Sequence, residues 1–551
     1  MRWADHKTSW VRPLHSIVAQ LDGVEILVRF PYERTVEALS NPGPANCLES
    51  ASDTRGHRFL SKGEIKVRGF TDYVSKLRAA YVILDTAERK RIILQDARRL
   101  CASAQVSLKD DDSLLEEVAG LVEWPVPLLG TIDGQFLELP PEVLIVSMRT
   151  HQRYFATTKP DGALANRFVV VANNVARDGG KTIVEGNERV LRARLADAKF
   201  FWDQDRKARL EDRLPALRDI VFHAKLGTQA ERVERIAALA AEIAKFVPGA
   251  DVGQVTQAAR LCKADLVSGM VGEFPELQGV MGRYYALDEK LPAAVADAIG
   301  DHYAPAGPND RCPSAPVSIA VALADKLEAL ISFWSIGEKP TGSRDPYALR
   351  RAALGTIRIV VENKLRLPLK HFFKADDLME FFAERLKVQV REKGVRHDVV
   401  DAVFALGGED DLVRLLARVE AVQSFLGTEA GKNLLTAYGR AVNIVRVEER
   451  KDKALAAKIA GAPDPTLFEQ EEERALFARL AALSLSSRIK SEDFVGAMSD
   501  LAGLRAPIDA FFEKVTVNVT DNDQLRLNRL KLLNQIRATM DSVAAFSRIE
   551  G

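Results

Sequence analysis

The chain has 551 residues, 47% of them hydrophobic and 28% charged, with 77 Lys and Arg against 77 Asp and Glu. That length exceeds one ordinary hydrophobic core, so three or four domains are expected. The charge parity excludes a polycationic coat, and any site for a polyanion has to be assembled from local clusters of cations.

In chain order, the first predicted elements are short β-type runs: VEILVRF (24–30), PEVLIVSM (141–148) and RFVVVANN (167–174). Between them, residues 73–100 carry apolar side chains at helical spacing. This alternation predicts an N-terminal α/β module over residues 1–186. From Asn187 the pattern turns helical, and residues 231–247 place Val233, Ile236, Ala237, Ala240 and Ile243 along one face. Pro305, Gly307, Pro308, Pro313 and Pro316 mark a loop, after which a buried helix resumes from Ser318. Pro340, Gly342 and Pro346 break the chain again, and the bond before Pro346 disfavours helix at Asp345.

A helix is therefore expected to begin near Pro346, with Ala348, Leu349, Ala352, Ala353 and Leu354 packing inward. Arg344, Arg350, Arg351 and Arg358 then stay available for polyanion contacts. The stretch 451–465 is the expected joint before a last helical domain. Four parts follow: the α/β module to 186, a helical domain over 187–340, a helical body over 341–455 and a C-terminal helical domain over 456–551.

Cys47, Cys101, Cys262 and Cys312 are widely separated, without CxxC spacing, and read as reduced, buried thiols. No apolar run approaches bilayer length, and Arg2, Asp5, His6 and Lys7 lead into no signal-like core. The expected location is the cytoplasm, with neither membrane nor DNA as a partner.

Little in the sequence points to catalysis by this chain. Gly180, Lys181 and Thr182 have the tail of a phosphate-binding loop, but Val175 stands where its first glycine belongs. No HExxH string or clustered His and Cys set indicates a metal. His223 lies between apolar residues and reads as structural.

Two segments have the composition of a nucleic-acid contact. MRTHQRYF (148–155), expected at the end of a strand, joins Arg149, His151, Gln152 and Arg153 to Tyr154 and Phe155. Cations hold phosphates and an aromatic ring stacks on an unpaired base. The alternative is that both rings are core and the basic residues cap the strand. In the last helix Arg526, Arg537 and Arg548 recur every eleven residues, close to three turns, and so form a stripe. Leu525, Leu532, Ile536, Met540 and Val543 would bury beside them, and Arg529 and Lys531 add to the basic rim. Some of these arginines can instead close internal ion pairs.

Long ordered strings carry a family resemblance. They are GEKPTGSRDPYALRRAALG (337–355), SMRTHQRYFATTKPDGALANRFVVVAN (147–173), EGNERVLRARLADAKFFWDQDRK (185–207), EDRLPALRDIVFHAKLGT (211–228), KADLVSGMVGEFPELQGVMGRYYA (263–286) and FFEKVTVNVTDNDQLRLNRLKLLNQIRATM (511–540). On these the chain resembles the β subunit of bacterial heterotetrameric glycyl-tRNA synthetase. The opening MRWADHKTSWVRPLHSIVA resembles an internal part of that pattern, so part of the usual N-terminal segment is expected to be absent.

The resemblance implies a multidomain, predominantly α-helical protein. Its α/β module would be similar to the editing-type domain of the phenylalanyl-tRNA synthetase β chain, its middle domain HD-like, and its C-terminus a DALR-type anticodon-binding domain. At the HD positions Lys263 and Asp265 form the doublet and Asp325 the distant carboxylate, and the histidine is missing. A degenerate site follows, with an internal Lys263–Asp265 ion pair as the expected arrangement.

Neither HIGH nor KMSKS strings nor class II motif arginines are recognisable, which agrees with a family whose α subunit carries the adenylation core. The implied activity is glycine-tRNA ligase within an assembly of two α and two β chains. ATP and Mg2+ would be used on α, no cofactor is expected on this chain, and tRNA(Gly) would be gripped here. The candidate contacts are Arg149, Arg153, Tyr154, Arg344, Arg350, Arg351, Arg526, Arg529, Lys531 and Arg537.

Overall fold

Proline breaks, capping carboxylates and left-handed residues divide this chain into many short helices and a few small sheets. The computed structural model describes residues 9–11, 14–31, 47–392, 394–451 and 453–549. Arg2, Asp5, His6 and Lys7 lie outside these residues. The architecture is predominantly α-helical, with the larger sheets near the N-terminus. Two compact units are present: Met1–Ala208 with Ser268–Gln278, and Arg209–Val267 with Gly279–Gly551. No described helix is long and apolar enough to cross a membrane.

The first unit is organised by a four-stranded antiparallel sheet in the order Ser107–Leu108, Phe155–Thr158, Leu164–Ala172, Val126–Thr131. Its longest ladder pairs Arg167 with Thr131 through to Ala172 with Val126, so RFVVVANN lies in a strand as its β-branched run predicts, up to Ala172. The helices Thr86–Ser103 and Asp112–Leu121 share a core with this sheet, formed by Ile93, Ala97, Leu115, Val118, Phe155 and Val169. Gly130 lies against the Phe168 ring, which a Cβ there would strike.

Three expectations for this unit need correction. Residues 73–100 are two helices, Phe70–Ala79 and Thr86–Ser103, because Tyr81 takes a positive φ of 63° and Asp85 caps the second. VEILVRF is strand only at Val24–Glu25 and Arg29–Pro31. Between them the Ser50 hydroxyl accepts the Val28 N–H and donates to the Ile26 carbonyl, a side chain taking the place of a ladder. PEVLIVSM is helical, not extended: Pro141–Val146 is an α-helix that continues as a π-helical turn, Ser147–Gln152. Val143, Leu144, Ser147 and Met148 are its buried residues, a four-residue recurrence hidden within a continuous apolar run.

Ser268–Gln278 completes the first unit. The Asp205 carboxylate accepts the N–H groups of Gly269 and Met270 at 2.9 Å each, and Arg194 pairs with Glu273 at 2.7 Å.

In the second unit the Val221–His223 and Gly227–Thr228 strands form a hairpin that interrupts the helical pattern expected from Asn187. Thr228 and Glu231 then make a reciprocal capping box for the helix Gln229–Ala244. Val233, Ile236, Ala237, Ala240 and Ile243 are all buried on it, the face their spacing predicts. The helix Pro316–Ser335 starts with proline at its first position and is buried on nearly every side, including the charged Asp325, Lys326 and Glu328. Further along lie the helices Leu349–Glu362, Asp376–Glu392, Leu412–Leu426, Glu429–Lys451 and Asp523–Asp541.

Gly130→Ala is expected to destabilise the first unit by about 1–3 kcal/mol through overpacking against Phe168. Gly120→Ala, on a helix where nothing approaches the added carbon, should be neutral or stabilising. Urea denaturation of the two variants checks the contrast.

Candidate nucleic-acid interface

The turn before the helix Leu349–Glu362 is built by one carboxylate and one guanidinium. Asp345 accepts the N–H groups of Leu349 at 2.8 Å and Arg350 at 3.0 Å, and Arg350 Nη2 donates back to the Gly342 carbonyl at 2.6 Å. Ala348 is left-handed, with φ 55°, so the helix starts at Leu349, three residues beyond the Pro346 expected. Its buried face is Leu349, Ala353, Ile357 and Val360, while Ala348, Ala352 and Leu354 are only half-buried. Tyr347 stacks on Phe333 with centroids 4.0 Å apart, and its hydroxyl lies 3.3 Å from His223 Nε2. His223 is thus part of an aromatic packing cluster.

The arginines of this motif divide sharply. Arg358 donates to the carbonyls of Gly307 and Asp310 and to Glu362, so it is not available to a polyanion as expected. Arg350 is half-buried and engaged with the turn. Arg344 and Arg351 are exposed and form no ion pair among the described residues.

MRTHQRYF is a different kind of structure from the strand end expected. Arg149 pairs with Asp111 at 2.6 Å and Arg153, left-handed at φ 60°, pairs with Glu117 at 2.5 Å, which fastens the π-helical turn to the helix Asp112–Leu121. His151 stacks on Phe274 and receives Arg194 Nε at Nδ1, 2.9 Å away, and burial and that guanidinium lower its pKa. Tyr154 is 3% exposed, stacked on Phe168 at 4.7 Å with its hydroxyl donating to Asn187, and burial pushes its phenol up to about 12. Phe155 is equally buried. Neither ring can stack on a base without leaving the core, so the core alternative describes both.

The last helix buries Leu525, Leu532, Ile536 and Met540, with Val543 just beyond it, as their spacing predicts. Its arginines turn inward. Arg526 pairs with the buried Glu448, Arg537 with Glu449 at 3.0 Å, and Arg529 with the fully buried Glu473 at 2.7 Å. The helix ends at Asp541, and Arg548 belongs to a separate 3-10 turn, Phe546–Arg548, so the eleven-residue stripe does not extend to it. Lys531 makes no ion pair among the described residues.

Around Lys263, Asp265 and Asp325 the pairing differs from the one expected. Lys263 Nζ lies 2.9 Å from Asp325, not on Asp265, and 2.9 Å from His302 Nε2, with the Tyr303 ring centroid at 3.7 Å. Arg232 bridges Asp325 and Glu328 at 3.0 and 2.9 Å. Burial alone would raise the Asp325 carboxyl, but Lys263 and Arg232 hold it far below the usual range. Burial and Lys263 push His302 well below its ordinary value; its Nδ1 lies 2.6 Å from the Ile299 carbonyl, so the neutral ring donates there and accepts Lys263 at Nε2.

Asp265 instead accepts the N–H groups of Gly279 and Gly282, and burial pushes it up to about 6. No group of three His, Cys, Asp or Glu able to hold a metal exists among the described residues. A fixed ammonium between Asp325 and His302 also repels a dication. His302 and Arg232 escaped the sequence reading because their partners lie 39 and 93 residues away.

Comparison with known proteins bears on the whole chain. Residues 1–405 match the family described as glycyl-tRNA synthetase beta subunit, and residues 434–546 match the DALR anticodon binding domain. The chain is 55% identical to the glycine–tRNA ligase beta subunit of Rhodospirillum centenum, over 100% of its own length and 80% of the relative's. It is 54% identical to that of Phenylobacterium zucineum, over 99% and 79%, and 50% identical to that of Paracoccus denitrificans, over 100% and 80%.

Lys263→Met, which leaves Asp325 and Arg232 buried with one cation fewer, is expected to cost about 3–5 kcal/mol in chemical denaturation. The raised Asp265 carboxyl favours the folded state while protonated. Its contribution is full below its unfolded value and is lost as pH rises through about 6. Asp265→Asn should therefore flatten the stability profile between pH 4 and 6, measured by urea midpoints across that window.

Proposed function

The chain belongs to the glycyl-tRNA synthetase β-subunit family, and we propose that it grips and orients tRNA(Gly) for glycine attachment by a companion α subunit. Its activity is that of a glycine-tRNA ligase β subunit, working as part of an α/β complex. Adenylate formation, with ATP and Mg2+, belongs to α in this reading, and two α chains assemble with two β chains in the cytoplasm. The match of two families along nearly the entire length, ending in an anticodon-binding domain, is the observation that carries it.

A four-part organisation accompanies the proposal: an α/β module to 186, an HD-like helical domain to 340, a helical body to 455 and the DALR-type domain beyond. The HD-like centre acts here as scaffold, its Lys263 ammonium holding Asp325 and His302 together. The β chain's contribution to rate is positional. Fixing the tRNA so that its acceptor end meets the adenylate converts an encounter into an intramolecular step, which can supply several kcal/mol of a barrier.

Among the candidate contacts, geometry favours Arg344 and Arg351 on the SRDPYALRR turn and Lys531 near the C-terminus. None of the three closes an ion pair among the described residues, although Lys531 lies within electrostatic reach of Asp464. Arg149, Arg153, Arg526, Arg529 and Arg537 would have to release an internal partner first. Arg350 serves by holding the turn that presents its neighbours.

Mixing this chain with the α subunit should restore glycine attachment to tRNA(Gly), and no attachment by a chain extended at its N-terminus to the length of its relatives would refute the reading. In that assembly Arg344→Glu with Arg351→Glu should raise KM for tRNA and reduce the slope of log affinity against log salt by about 2. An unchanged slope would remove this turn from the interface.

A further inference from the structure

The two family matches leave residues 406–433 between them, and this stretch is fastened at both of its ends. The Leu369 N–H donates to the Asp410 carbonyl at 3.2 Å, and the Lys370 N–H to the Asp410 carboxylate at 3.1 Å. One Asp411 carboxylate oxygen caps the helix Leu412–Leu426, accepting the N–H groups of Val413 and Arg414. That helix packs against both Leu349–Glu362 and Phe494–Ala502. Three helices thus lead from the turn that presents Arg344 and Arg351 into the DALR match.

The other Asp411 oxygen accepts Arg366 Nε at 2.6 Å. Both Nη atoms of the same guanidinium reach Glu492, at 2.9 and 2.5 Å, as a bidentate fork. Arg366 lies in the first family match, Asp411 in the stretch between and Glu492 in the DALR match, so one side chain joins all three. Glu492 holds a left-handed φ of 62° between the helices Leu485–Lys490 and Phe494–Ala502. Beside it Arg414 Nη2 donates to the Ile489 carbonyl at 3.1 Å. A second tie lies elsewhere, where the Ala545 N–H donates to the Ala402 carbonyl at 2.9 Å.

The Arg366 side chain is 51% exposed, and ion pairs open to water add little to global stability. A directional fork supplies an angle instead. Apolar helix faces accept a scatter of about 15–20° in crossing angle. A pivot of about 15° moves the far end of a helix as long as Asp523–Asp541 by about 7 Å. Misplacement of reacting groups by about 1 Å already costs about a hundredfold in rate.

We propose that Arg366 is a positioning residue for glycine transfer: its guanidinium, shared between Asp411 and Glu492, sets the angle at which the DALR region is held, and with it the placement of the acceptor end of the bound tRNA. The proposal rests on the tRNA-binding reading above and adds a residue that touches neither the tRNA nor the adenylate.

The test uses the extended chain assembled with its α subunit, as wild type, Arg366→Ala, Glu492→Ala and the double variant. Glycine attachment to tRNA(Gly) should fall about tenfold or more in kcat, with KM for tRNA kept within about twofold. The double variant should be no slower than either single one, since both remove the same fork. Glycine-dependent exchange of pyrophosphate with ATP, which needs no tRNA, should be unchanged, as should the thermal midpoint. Spin labels on Val388→Cys and Val495→Cys, at positions 45% and 73% exposed in a chain whose own cysteines are buried, should give a narrow distance distribution that broadens in each variant.

Wild-type kcat in the variants would overturn the proposal. A parallel loss of pyrophosphate exchange or of thermal midpoint would overturn it too, making the fork a general support. A raised KM with kcat kept would make Arg366 a determinant of affinity instead of placement. An unchanged label distance beside a lowered kcat would remove the angular role. A wild-type assembly that completes the exchange yet attaches no glycine to tRNA(Gly) would refute the reading on which the proposal rests.

Discussion

The second unit depends on one buried ammonium. Lys263 sits among Asp325, His302 and the Tyr303 ring, and Arg232 ties the same carboxylate to Glu328. Charges taken out of water are tolerable only when each meets a partner, so the helices that carry these residues are fixed in register with one another. Hydrophobic burial alone would allow several packings of such apolar helices. A polar centre with directional bonds admits fewer.

The same demand for partners runs through the rest of the molecule. Cations and anions are equal in number, and the described residues match many of them internally: Arg149 to Asp111, Arg153 to Glu117, Arg529 to Glu473, Arg537 to Glu449. A chain composed this way leaves few cations for an outside polyanion. Those on the SRDPYALRR turn stand out because Asp345 uses its carboxylate oxygens on backbone N–H groups and so does not neutralise the guanidinium groups beside it.

What could be read from the sequence follows from how far each interaction reaches. The face of Gln229–Ala244 was legible because Val233, Ile236 and Ala240 repeat within one helix. The strand at Arg167–Ala172 was legible because β-branched residues crowd it. PEVLIVSM was not, since an unbroken apolar run carries no period and its helix depends on which side the rest of the unit covers. The arginine pairs were illegible for another reason. Glu448 and Glu449 lie 78 and 88 residues from Arg526 and Arg537, so the basic rim seen in the last helix is neutralised by a helix that nothing local announces. Tyr154 and Phe155 illustrate the same limit, as aromatic rings beside arginines suit a core as well as an RNA surface.

The first unit is assembled from two separate stretches of chain, the second being Ser268–Gln278, whose Gly269 and Met270 amides satisfy Asp205. During synthesis the Asp205 carboxylate therefore lacks these amide partners until the stretch ending at residue 278, some seventy residues after Ala208, has been made. The last stretch of the first unit is thus supplied only after residues 209–267 of the second have been made.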